Sequence, residues 1–383
     1  MSIYLDAAAT TKTKQRVLDA MMPYFTTKWY NPSASYGEAN KIKEDIYNAR
    51  KNIGKYINAD ASEIFFTSCG SESNSWAIQG FVNHCIAENK KPCIITSVIE
   101  HKSILSCIES LVYKDIDKCF IHVDNEGFID LQELENALSC ANSLCNKILV
   151  SIQFANNEIG TVQHVKEISE LAHKYGAVFH TDAVQAFGQI PIDVKAFDID
   201  MMSVSGHKIG ASKGIGFLYK KNSIEISPLI YGSQMDELRG GTENVPYIIG
   251  LEKAIQLIRI DEEYQLRLTV LRKNFITMLK GIGCKLNGSI DNRLPNNINV
   301  TFNHNITGEA LIYMLEMSDI YIAAGSACNS NAIEPSYVLK AIGLNNEDAN
   351  RTIRISLPEN ITMDEISTVV NEIEKAIKLI ELN

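Results

Sequence analysis

The chain has no disulfide framework. Its nine cysteines are an odd number, scattered over positions 69, 85, 93, 107, 119, 140, 145, 284 and 328, and no two form a C-x-x-C. Cys140 and Cys145 have no histidine nearby at zinc-like spacing. Apart from Cys328, they read as small hydrophobes in a reducing, cytoplasmic setting. Long apolar runs are missing as well. No uninterrupted stretch reaches about 18 residues, so no membrane-spanning helix is expected. The opening MSIYLDAAATTKTK has no apolar core of the kind a signal peptide needs, so none is expected. Positive charge is in short supply: 36 Lys and Arg against 46 Asp and Glu leave a net charge of −10. That argues against a surface built for nucleic acid or acidic lipid, which needs an excess of Lys and Arg. Internal repeats and low-complexity linkers are absent too.

What remains is an ordinary globular composition of 383 residues, 45% hydrophobic, enough for two or three domains. Helical patterns alternate with short β-rich runs. Residues 43–57 and 73–88 carry apolar side chains at helical spacing. EIFFTS (63–68), PCIITSV (92–98), KILVSIQF (147–154), GAVFHTD (176–182) and DIDMMSVS (198–205) are strand-like. Runs that are apolar on both faces and separated by helices fit buried strands of a mostly parallel α/β sheet. One long amphipathic stretch runs from Val245 to Leu279 and stops at the glycines of 281–283. After it, strand-like segments at 296–302, 320–325 and 351–358 mix with helical patterns at 307–317 and 363–380, which reads as a smaller α+β unit. The expected division is a large domain over 15–262 and a small one formed by 1–14 and 263–383.

Ligands of open α/β sheets sit beyond the carboxyl ends of the strands. Four strand ends deliver polar residues there: His101 after the 92–98 run, Asn156 and Asn157 after 147–154, Asp182 with Gln185 after 176–181, and His207 with Lys208 after 198–205. Each alone is ordinary; the convergence is not. Lys208 lies among small residues directly after a buried strand, where desolvation lowers an ammonium pKa, as a Schiff-base lysine requires. A lysine aldimine with an acidic partner is the pattern of pyridoxal 5'-phosphate (PLP), whose ring nitrogen a carboxylate such as Asp182 keeps protonated. TSCGSESN (67–74) offers small and hydroxyl residues before a helix, an anchor for a phosphate.

SVSGHKIGASKGIGFLY, ANNEIGTVQ, HTDAVQAFGQIPIDV, EHKSIL, LRGGTENV, GSACNS followed by EPSYVLKAIGL, and the opening YLDAAATT run in order along essentially the whole chain. Together they resemble the cysteine desulfurases of the NifS/IscS type, PLP enzymes of aminotransferase fold type I. The resemblance implies a large domain with a mostly parallel central sheet flanked by helices, plus a smaller α+β domain. It implies that Lys208 bonds the cofactor, that Asp182 faces its ring nitrogen, and that His101 stacks on the ring and moves protons. Gln185 and Asn157 match groups bonding the ring hydroxyl and the substrate side. Gly70, Ser71, Ser205 and His207 match phosphate binders, and Thr242 a phosphate contact from the other subunit of a homodimer. Arg354 matches the clamp for the substrate carboxylate, and Cys328 the cysteine that takes sulfur from L-cysteine as a persulfide and hands it to an acceptor protein, for iron–sulfur cluster assembly or other sulfur biosynthesis. No resident metal, membrane or nucleic-acid partner is expected; Cys328 could contact an iron–sulfur cluster in passing.

The chain departs from the family pattern at Tyr36, where members often carry histidine, and at Pro358, where glycine is common. Cys69 reads as a packed small residue beside the phosphate anchor. The segment between 325 and 334 reads as a mobile loop that carries Cys328. Competing readings are a selenocysteine lyase or a small-amino-acid aminotransferase on the same fold, and a non-catalytic assembly module. A nicotinamide-binding protein is disfavoured, because no G-x-G-x-x-G follows the first strand.

Overall fold

The computed structural model describes residues 2–112, 115–145, 147–324, 326–329 and 332–381, with 326–329, 332–334 and 381 as backbone only. Seven strands form the main sheet: β1 (Ile64–Thr67), β2 (Pro92–Ser97), β3 (Asp117–Ile121), β4 (Lys147–Ser151), β5 (Val178–Asp182), β6 (Met201–Ser205) and β7 (Gly216–Lys220). Their order across the sheet is β1-β7-β6-β5-β4-β2-β3. Strands β6, β5, β4, β2 and β3 run parallel to one another, while β7 runs antiparallel to both β6 and β1. Every residue of β1, β2, β6 and β7 is buried, as expected of strands covered by helices on both faces. At the edge, β3 is mostly half-buried.

The sequence pattern did not announce β7, which begins inside a glycine-rich run. Its first residue shows why a glycine is needed: a Cβ on Gly216 would lie 2.5 Å from the Val204 carbonyl oxygen. The close pairing of β6 with β7 closes a ten-residue connection, 206–215, that carries His207 and Lys208.

The single amphipathic stretch expected over 245–279 is two helices, Val245–Gln256 and Glu262–Gly281. Asp261 accounts for the restart, since its side chain accepts a hydrogen bond from the Tyr264 N–H and caps the second helix. Beyond it, four strands form a smaller antiparallel sheet: β8 (Cys284–Leu286), β9 (Asn297–Phe302), β10 (Ala323–Ala324) and β11 (Thr352–Ser356), in the order β10-β11-β9-β8. A second apolar cluster, including Phe275, Phe302, Ile353 and Ile373, packs on it and takes in Ile3 and Leu5 from the N-terminus. The strand-like run at 320–325 is split. Ile320–Tyr321 pairs with Ile3–Tyr4, and Ala323–Ala324 with β11.

Cys328 lies in a two-stranded hairpin, Ser326–Asn329 with Ala332–Pro335, where it stands opposite Ile333. The expected loop is thus paired backbone; how the Cys328 side chain sits lies outside the described residues. Among the described residues no helix is long and apolar enough to cross a membrane.

Candidate active site

The carboxyl ends of β2, β4, β5 and β6 open onto a cavity of about 380 Å³. His101, Asn157, Asp182, Gln185, Ser205, His207 and Lys208 line it, together with Gly70, Ser71 and Arg354. The structure therefore brings together ten of the twelve residues singled out in the sequence. Thr242 is exposed and does not line the cavity of its own chain. The Cys328 side chain is outside the described residues. Cys69, expected to be packed away, borders the cavity and is partly exposed, because its extended backbone leads directly into the helix Gly70–Ala87. Of the eight cysteines with described side chains, five are buried, as small hydrophobes should be, and Cys140 is exposed.

Each strand end presents its side chain through a local device. His101 caps the helix Lys102–Ser110: its Nδ1 accepts from the Ser103 N–H at 3.1 Å, so in the neutral ring Nε2 carries the proton. Asn156 is occupied within its own turn, where its Oδ1 accepts from the N–H groups of Glu158 and Ile159, leaving Asn157 to face the cavity. Asp182 ends β5 and is 7% exposed. Its Oδ2 accepts from Asn74 Nδ2 at 2.8 Å and its Oδ1 from the Val184 N–H at 2.9 Å. Gln185 Nε2 donates to the Ala8 carbonyl at 3.1 Å.

Lys208 closes a short 3₁₀ turn after β6, and its Nζ donates to the carbonyls of Ala8 and Ala9. Burial, helped by the positive charge of Arg354, pulls its pKa down to about 8 against the opposing influence of Asp6 and Asp182. Burial, with Lys208 and Lys213 nearby, lowers His207 to about 4, so this ring is neutral. Its Nδ1 lies 3.1 Å from the Thr10 hydroxyl. Arg354 reaches in from β11, with Nη2 2.7 Å from Asp6 Oδ1 and Nη1 donating to the Asn157 carbonyl at 3.2 Å.

Sequence reasoning missed Asn74, Asp6 and Glu100. Asn74 had a signal: it stands four residues after Gly70, on the same helix face. Asp6 and Glu100 had none, because their partners are set by tertiary contact.

Among the described residues, three buried polar atoms on cavity-lining residues have no hydrogen-bond partner: Ser205 Oγ, Asn74 Oδ1 and Arg354 Nε. Leaving such atoms unpaired is costly, so the cavity is built for a polar ligand. PLP fits this donor set. The free N–H groups opening the helix at Gly70, with Ser71 and Ser205, suit a phosphate dianion. Asp182 suits a protonated ring nitrogen, and an amine of depressed pKa suits Schiff-base formation.

A family model described as aminotransferase class-V matches residues 3–369. Cysteine desulfurase IscS of Clostridium botulinum (strain Hall) is 42% identical over 98% of this chain and 94% of its own. Cysteine desulfurase IscS of Methanosarcina thermophila is 41% identical over 98% of this chain and 92% of its own. Among solved structures, a NifS-like protein superposes with a TM-score of 0.89 at 32% identity, covering 99% of this chain and all of that one. SspA, solved in complex with cysteine, gives a TM-score of 0.82 at 36% identity, over 94% of this chain and all of that one.

Proposed function

The chain belongs to the class-V aminotransferase family, and from that footing we propose that it is a cysteine desulfurase that converts L-cysteine to L-alanine and holds the sulfur as a persulfide on Cys328. The observation that carries the reading is the convergence of Lys208, Asp182, His101 and Arg354 on one cavity with unpaired buried polar atoms. Lys208, Asp182, Gln185, Ser205, His207, Gly70 and Ser71 hold PLP. When bound, PLP supplies an electron sink for the pair left at the substrate Cα.

The chain's own residues do the rest. Arg354 and Asn157 orient the amino acid by its carboxylate. Lys208 Nζ, held near pKa 8, takes the Cα proton at neutral pH more readily than an exposed lysine would. His101 exchanges protons at the cavity: Nε2 donates in the tautomer described above, and accepts, as for the proton lost by the Cys328 thiol, in the one whose Nδ1–H donates to the Ser103 hydroxyl at 2.8 Å. The Cys328 thiolate attacks the substrate Sγ: an S–S bond forms, the Cβ–Sγ bond breaks, and its electron pair with a returning proton completes the methyl group of alanine. Atoms balance as L-cysteine plus thiol giving L-alanine plus persulfide. A free thiol and a persulfide suit a reducing cytoplasm. The persulfide passes to an acceptor protein, for iron–sulfur cluster assembly or other sulfur biosynthesis; the acidic balance of the chain favours a basic one.

A homodimer accounts for two features. Thr242 is exposed and lines nothing in its own cavity, as befits a residue that serves the neighbouring site. Exposed Trp29 stacks on Tyr30, which meets exposed Tyr36 edge-on, an aromatic patch of the kind that marks an interface.

The test is turnover of L-cysteine in the presence of a reducing thiol, with alanine and sulfide measured for wild type and Cys328→Ser. Wild type is expected to make both in equal amounts, and the serine variant almost none. Alanine production unchanged by Cys328→Ser would refute the persulfide role.

A further inference from the structure

The N-terminal segment YLDAAATT is built into the wall of the cavity. Leu5 is fully buried and Ala8 nearly so. Ser356 at the end of β11 binds the segment in three places. Its N–H donates to the Leu5 carbonyl at 2.7 Å, its carbonyl accepts from the Ala7 N–H at 3.3 Å, and its hydroxyl accepts from the Ala8 N–H at 2.8 Å. Thr11 is tied to the His207 carbonyl through both its N–H (2.9 Å) and its hydroxyl (2.8 Å). Held at both ends, the segment turns the carbonyls of Ala8 and Ala9 toward Lys208 and the carboxylate of Asp6 toward Arg354.

The contact with Arg354 has a particular shape. The two side chains are 20% and 14% exposed, so the 2.7 Å ion pair is shielded from water and is not an ordinary surface pair. Asp6 takes Nη2 and the Asn157 carbonyl takes Nη1. Nε is buried and has no partner among the described residues. Two contacts on different nitrogens define the plane of a guanidinium; one alone leaves it free to turn. The third donor, already desolvated, is left for a ligand.

We propose that Asp6 is the positioning residue for Arg354, fixing the guanidinium plane so that its Nε edge receives the carboxylate of the amino-acid substrate. This rests on the reading of Arg354 as the carboxylate clamp. Asp6 itself touches neither the substrate nor a reacting atom. Its main effect therefore falls on binding of the carboxylate, while the influence of its charge on Lys208 is lost alike in the alanine and asparagine variants and does not separate them.

Asp6→Ala and Asp6→Asn separate this role from general support of the fold. Asparagine keeps an acceptor oxygen at the same reach and alanine removes it. In the alanine variant KM for L-cysteine is expected to rise on the order of tenfold with kcat within about twofold, as for loss of a hydrogen bond to a charged group that acts on binding alone. The asparagine variant is expected to return to within about threefold of wild-type KM, because the plane of the guanidinium is again held at two points. Calorimetric affinity for L-alanine, which carries the carboxylate but no sulfur, should follow the same order without any turnover.

Unchanged KM and L-alanine affinity in Asp6→Ala would overturn the proposal, as would an equal loss in both variants or a fall in kcat alone. Wild type that turns over L-cysteine while Asp6→Ala matches it refutes only the Asp6 role. Wild type that produces neither alanine nor sulfide refutes the desulfurase reading instead.

Discussion

Glu100 stands directly before His101 and is completely buried. Its Oε1 accepts from the Ser97 hydroxyl at 2.5 Å and from the Gln153 N–H at 3.1 Å, and its Oε2 lies 2.9 Å from the same N–H. Those bonds favour the carboxylate. Burial outweighs them and, with Asp182 adding repulsion, pushes the pKa from 4.5 up to about 8. At about 1.4 kcal/mol per tenfold change in proton affinity, ionised Glu100 costs the folded chain on the order of 5 kcal/mol.

The sign follows from where the protons are. Between pH 4.5 and 8 the unfolded chain has lost this proton while the folded chain keeps it, so stability falls as pH rises through that window. Glu100→Gln resembles the protonated acid: its Oε1 keeps both the Ser97 and Gln153 bonds, and it cannot ionise. The expected result is parity with wild type to within about 1 kcal/mol at pH 5, and an advantage to the variant on the order of 4 kcal/mol at pH 9. The assay is urea unfolding of both proteins from pH 5 to 9, at equal protein concentration and with cofactor removed, so that ligand and subunit linkage do not differ between them. A variant less stable than wild type by the same amount at every pH would refute the reasoning. That result would mean that Glu100 is ionised throughout and that its charge holds the turn.

Two further outcomes test the site. In Gly70→Ala the new Cβ would meet Val184 Cγ2 at 2.6 Å at the start of the helix Gly70–Ala87, so, if this helix end holds the phosphate, PLP affinity, read by absorbance titration of the apoprotein, should fall about tenfold, the scale of a modest overpacking strain; unchanged affinity would take the phosphate away from this helix end. If Thr242 serves the neighbouring site, Lys208→Ala and Thr242→Trp homodimers should each be nearly inactive, and an equal mixture after subunit exchange should recover about a quarter of wild-type turnover, since half the dimers are mixed and each has one intact site; no recovery after demonstrated exchange would place both residues in the same site.

The parts of the site that could be read from the sequence are those whose position follows from a strand. β5 and β6 are short apolar runs, their carboxyl ends face one edge of the sheet, and Asp182 and Lys208 come with them. A residue such as Asp6 is different in kind. It meets Arg354 across 348 positions of sequence, through a segment whose course is set by Ser356, and no local pattern encodes that meeting. β7 escaped for a third reason. Its opening glycine, which the sequence presents as a turn signal, is required by the close approach of the Val204 carbonyl inside the sheet.

The small residues around Cys328 bring these strands of argument together. In sequence they point only to a segment without bulky side chains. In the fold, among the described residues, its two strands pair with each other and with no strand of the two larger sheets. What the hairpin does have is anchorage at its two feet. Before it, Ala323 pairs with Arg354. After it, the Ser336 hydroxyl donates to Glu158 Oε2, next to Asn157, and the Tyr337 hydroxyl donates to the Glu100 carbonyl, next to His101, both at 2.5 Å. Both feet therefore stand at or beside residues that line the cavity, Arg354, Asn157 and His101.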